Sequence, residues 1–146
     1  MPEKPRTPSA PAAKWSAGAI RITSRTAAAG ISRRLGLAAD EHYSHTDSGL
    51  RPTTVWIRRS GLPDDSDLAD HVRVPAALPA PRREELAGLS ADCGLELVLG
   101  FGSENGQGGC VLPGPLLAEV GALGLDLVLD LYPPDTTAAP AVTTTA

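Results

Sequence analysis

Aromatic residues make up only 3% of this 146-residue chain: two Trp, two Tyr and one Phe. Trp15 and Trp56 are few and far apart, so no platform for stacking single-stranded bases is visible. Cysteine is almost absent. Cys93 and Cys110 lie seventeen positions apart, without CxxC character, and fit two reduced, packed thiols better than a redox motif. No apolar stretch reaches the 18 residues or so that a membrane-spanning helix needs. No apolar run follows the basic start either, so no secretory leader is expected and the chain is placed in the cytoplasm with no membrane partner. No serine sits in a G-x-S-x-G elbow.

Basic residues are missing from the second half. Nine acids follow Arg83 and no Lys or Arg does. The first 34 residues carry a net charge of +6 and the remainder −10, within a total of −4. A nucleic-acid binder needs a basic face on its folded core. An acidic second half repels phosphate, which excludes nucleic acid and favours a basic protein partner.

What is present reads as one small domain. MPEKPRTPSAPAAK and DTTAAPAVTTTA bury too little to offset ordering entropy, which makes residues 1–15 and 134–146 tails around a domain at 16–133. Ile20 and Ile22 alternate with Arg21 and Thr23 in a first strand. Ala27, Ile31 and Leu35 fall at helical spacing, with Ser24 or Thr26 as cap and Gly36 as the left-handed stop. AADEHYSHTDSGLRP is a polar loop. TTVWIRRSG is a second strand, with Val55 and Ile57 on one face and Trp56 and Arg58 on the other. A short helix begins near Asp65 or Ser66. Pro75, Pro79 and Pro81 break any long helix, and a second helix carries Leu86 and Leu89, with Glu84 and Glu85 suiting its dipole. LELVLGF is a third strand, the glycines of SENGQGG a hairpin turn, and GCVLP a short fourth strand. A helix with Leu116, Leu117, Val120 and Leu123 on one side ends at Gly124 and leads into the last strand, LDLVLDL.

Strands with one apolar face and helices with one apolar stripe are satisfied by an α+β two-layer sandwich. It would have a mixed, mostly antiparallel sheet of about five strands, helices on one face, and a partly ferredoxin-like arrangement.

ISRRLGL (31–37), SGLPDDSDLADHV (60–72), GSENGQGGCVLPGPLLAEV (102–120) and above all LGLDLVLDLYP (123–133) resemble the bacterial family called domain of unknown function 4279 (DUF4279). The resemblance covers about residues 17–133. It implies an α+β fold and no particular reaction, since the family has none assigned.

The candidate sites are few. Asp126 and Asp130 are four apart in a strand, roughly 13 Å along the chain, too far for a glycosidase-type carboxylate pair. They read instead as the solvent side of a half-buried strand. If that strand neighbours LELVLGF, then Glu96, Asp126 and Asp130 form an acidic sheet face with Val98 and Val128 between them. Trp56, with Arg58 beside it, belongs either to a second small core or, if exposed, to a binding surface. His42, His45 and Asp47 are the donor set closest to a zinc or iron site, although no rigid element aligns them. The GFGSENGQGG stretch lacks the Gly-Lys-Ser/Thr end of a phosphate loop, and the nucleophile candidates lack partners. No cofactor is implied. The expected function is a non-catalytic cytoplasmic binding module, in one version an immunity-type protein that plugs a basic toxin. The alternative is a metal-dependent enzyme using the His42/His45/Asp47 loop. A homo-oligomer joined through the sheet is a third possibility.

Overall fold

The computed structural model describes residues 13–46, 48–90 and 93–134. Residues 1–12 and 135–146, expected as tails, lie outside the described residues. Five strands form one sheet: Lys14–Ser24 (β1), Glu41–Thr46 (β2), Pro52–Arg59 (β3), Gly94–Ser103 (β4) and Asp126–Tyr132 (β5). Four α-helices are described: Ala28–Leu35 (α1), Leu68–Ala77 (α2), Arg83–Leu89 (α3) and Gly114–Ala122 (α4). The strand order is β2-β3-β1-β4-β5. Neighbours are antiparallel except β4 and β5, which are parallel. The first four strands therefore reproduce the order of a ferredoxin-like β-α-β-β-α-β unit, and α4 adds a crossover that lays β5 beside β4.

Alternation and register together build the core. Ile22 lies opposite Trp56 on β3 and Leu95 on β4, and Ile20 lies opposite Leu97. These side chains point to one side of the sheet and are buried. Ile31 and Leu35 of α1, Leu68 and Val72 of α2, Leu86 and Leu89 of α3, and Leu116 and Val120 of α4 close over them in one cluster. Full burial of each such aliphatic side chain contributes about 1.5–3 kcal/mol. The sheet is thus covered on one face only. Among the described residues no helix is long and apolar enough to cross a membrane.

One close approach sets the spacing of the layers. Pro75 lies inside α2, and because proline has no N–H, the His71 carbonyl four residues earlier receives no bond from it. That carbonyl packs on β1 at Gly18, where an added Cβ would stand 2.3 Å from the oxygen. Only glycine fits there.

Several expectations are corrected. The polar loop after α1 contains an edge strand, β2, all of whose residues are exposed. With every residue exposed, this strand is held by its backbone pairing with β3 and carries no apolar signal. GCVLP is not a strand. Its would-be neighbour β4 already has β1 and β5 on its two edges, and the glycine-rich segment before it is the first part of the β4–α4 crossover, not a hairpin. Cys110 is exposed in that segment and not packed, whereas Cys93 is half-buried. α2 runs through Pro75 instead of stopping before it, and its N-cap is Asp67. β1 begins at Lys14, so Trp15 belongs to the fold and not to a tail. α1 ends at Gly36 in the left-handed conformation, as expected, but the Ser24 hydroxyl accepts the Thr26 N–H instead of capping the helix.

Candidate functional site

The candidate site is the uncovered face of the sheet. Register places Glu41, Ile57, Arg21, Glu96 and Asp126 in one row across all five strands. The next row holds Arg59, Ala19, Val98 and Val128, then Ala17, Gly100 and Asp130, then Trp15, Gly102 and Tyr132. Small residues in the middle rows leave a groove of about 570 Å3.

Its aromatic end is built by glycine. The far edge of the Trp15 indole, from Nε1 round to Cζ3, lies over Gly100 and Gly102. A Cβ at Gly102 would meet Nε1 at 2.3 Å, and one at Gly100 would meet Cζ3 at 3.0 Å. Trp15 thereby reaches across β4 to Tyr132, with ring centroids 4.9 Å apart and planes tilted by 58°, a favourable edge-to-face type of geometry. The Tyr132 hydroxyl donates to Asp130 Oδ2 at 3.4 Å.

The charges on this face divide into two sets. Arg21 donates to Glu96 at 3.0 Å, and Arg59 pairs with Glu41. Asp126 and Asp130, and Asp64 at the rim, have no cationic partner within 4.0 Å among the described residues. The residual charge of the face is negative.

The rim is fixed by a buried polar network. His71 is 1% exposed. Its Nε2 lies 3.1 Å from the Pro63 carbonyl, which can only accept, so Nε2 carries the proton. In the neutral ring Nδ1 then accepts from the Ser60 hydroxyl at 2.8 Å, and Ser60 Oγ accepts the Leu62 N–H at 3.2 Å. All three polar atoms are satisfied, and the chain from Ser60 to Pro63 is tied to α2. Ser60 thus has a histidine partner that the spacing in sequence did not reveal.

The structure brings Glu96, Asp126 and Asp130 onto one face, with Val98 beside Val128. It does not add Trp56 or Arg58 to them. Trp56 is 0% exposed, on the helix side, and its indole N–H donates to Ser32 Oγ at 2.9 Å. It is core, because register sets it opposite Ile22. Arg58 points to the same side and donates to the Ala38 carbonyl at 2.9 Å, holding the connection after α1. His42 and His45 lie on a strand and are three apart, so they project to opposite faces: His42 pairs in register with Trp56 and His45 with Thr53. They cannot converge on one ion, and Asp47 lies outside the described residues. No group of three or more metal-ligating side chains occurs among the described residues.

Sequence reasoning missed Trp15, Tyr132, Arg21 and Arg59 as members of this surface. One signal was available. Gly100 and Gly102, two apart in a strand and on the face of Glu96 and Val98, announce a large side chain arriving from a neighbour. In comparisons with known proteins, no family model matches the chain, and neither a curated protein nor a solved structure matches it.

Proposed function

We propose that this chain is a small binding module that acts in the bacterial cytoplasm and presents the uncovered sheet face to a basic protein partner, in the manner of an immunity-type protein. The resemblance to DUF4279 is part of that reading. The observation that supports it is charge pairing. The arginines of the face, Arg21 and Arg59, are neutralised by Glu96 and Glu41, while Asp126 and Asp130 are exposed and have no cationic partner among the described residues. A surface of this sign steers a basic partner and speeds association at low salt.

The test compares capture by the wild type with capture by Asp126→Asn/Asp130→Asn. Immobilised protein is exposed to source-cell lysate at low salt, and bound material is eluted by a salt step. A basic protein held by the wild type and lost by the double variant supports the reading. Capture that is equal for both, or none, overturns it.

A second reading is self-association through β5, an open edge strand on which Leu129 and Leu131 are exposed at 55% and 70%. Solution mass at two concentrations tests it. A mass that doubles on concentration, and stays single in Leu131→Lys, supports it.

A further inference from the structure

We infer that the groove on the open face holds an arginine side chain of the partner, with its guanidinium against Trp15 and Tyr132 and its charge met by Asp130. This deepens the reading above and rests on it.

Three independent features of the groove converge on that occupant. The first is the aromatic corner. Trp15 is held over Gly100 and Gly102 and braced by Tyr132, so two π-surfaces line one end of the groove at fixed positions. Rings placed this way attract a cation through their quadrupole. The second is the state of the lining charges. The positive groups in the lining, Arg21 and Arg59, are already paired, while the carboxylates of Asp130 and Asp64 have no cation within reach among the described residues. An anionic ligand would meet neutralised arginines and two free carboxylates, whereas a cation meets free carboxylates and aromatic faces. The third is shape. The floor is made of Ala17, Ala19 and Gly100, so a long side chain can lie along the sheet, and its aliphatic stem covers Val98.

Between the two long cations, the corner selects arginine. A planar guanidinium stacks on an indole and still presents N–H groups in its plane to a carboxylate. A lysine ammonium is a compact, strongly hydrated charge that gains less from the ring face. The Tyr132 hydroxyl directs Asp130 toward the corner, where the carboxylate and the rings can act on one guanidinium together.

The experiment uses the full chain and two end-capped probes, tetra-arginine and tetra-lysine, followed by the indole N–H signals in nitrogen–proton correlation spectra. The chain has two tryptophans, and Trp15→Phe assigns their signals. The inference expects tetra-arginine to shift the Trp15 signal and leave that of buried Trp56 in place. It also expects binding about five-fold tighter than tetra-lysine and a loss of about ten-fold in Asp130→Asn. Dispersed spectra of the variant show that it is folded. Equal affinity for the two peptides, with the Trp15 signal unmoved, overturns the arginine site while leaving an acidic docking face. Absence of binding by either peptide overturns both.

Discussion

Replacing Gly18 by alanine is the sharpest test of how the two layers are spaced. In an ordinary strand the exchange stabilises, by about 0.4–1 kcal/mol, because alanine has less freedom to lose on folding. Here the new methyl would stand 2.3 Å from the His71 carbonyl oxygen and 2.9 Å from His71 Cβ. An ordinary carbon–oxygen approach is about 3.3 Å, so β1 and α2 must separate by roughly 1 Å. Neither is free to move. β1 is the central strand, and Gly18 accepts the Ser60 N–H at 2.8 Å. His71 is anchored through both ring nitrogens. Overpacking of this kind costs about 1–3 kcal/mol, which exceeds the alanine gain, and a net loss of about 1–2 kcal/mol follows. With a urea slope of about 1.5 kcal/mol/M, the unfolding midpoint should fall by roughly 1 M. Gly88→Ala is the control. Nothing lies within 4 Å of a Cβ there, in α3, so the midpoint should rise by the equivalent of about 0.5 kcal/mol. A Gly18→Ala midpoint at or above the wild type would refute the spacing argument.

Other outcomes follow from the same packing. Trp56→Phe removes an indole bond to Ser32 and leaves a gap under α1, and should cost about 1–3 kcal/mol in urea unfolding. Ser60→Ala strands the Leu62 N–H and His71 Nδ1. A loss of about 1–3 kcal/mol and faster hydrogen exchange at the Leu62 amide are expected. His42→Ala and His45→Ala change only exposed edge positions, so each should leave the midpoint within about 0.5 kcal/mol of the wild type. A larger drop would mean that β2 does more than pair its backbone. Arg21→Met breaks a part-exposed ion pair and should cost less than about 1 kcal/mol, yet it should strengthen capture of a basic partner by leaving Glu96 unpaired.

The elements that alternate cleanly were legible. Leu95, Leu97 and Leu99 against Glu96 and Val98, and Leu125 and Leu127 against Asp126, name both the strand and its buried side. The stripe of Ile31 and Leu35 with Gly36 after it names α1 and its end. Elements whose stability comes from elsewhere were not legible. β2 has no apolar residue on the core side, because at the sheet edge the helices do not reach it. α2 runs through Pro75, and the carbonyl that the ring deprives of its bond packs on Gly18 of another element, a contact that no local pattern reveals. GCVLP has β-branched and apolar character, but β4, the strand just before it, already has β1 and β5 on its two edges, and a strand without a partner does not form.

The two tryptophans show why the site is harder to read than the fold. Alternation tells that residues 55 and 57 share a face and 56 and 58 share the other, yet both faces carry an apolar residue, so parity alone cannot say which one meets the helices. Register decides it. Ile22 opposite Trp56 sends Trp56 inward and Ile57 outward, and a slip of one residue would exchange every side chain between the faces. Trp15 depends on an even longer reach, since its seat is made by glycines some 85 residues away on β4. The acids were placed correctly for the opposite reason. On β4 and β5 leucine holds one parity throughout, so Glu96, Asp126 and Asp130 have only the open face left to occupy. A surface composed by three strands at once is legible only where each strand is unambiguous by itself, which holds at the acidic edge of this face and fails at its aromatic corner.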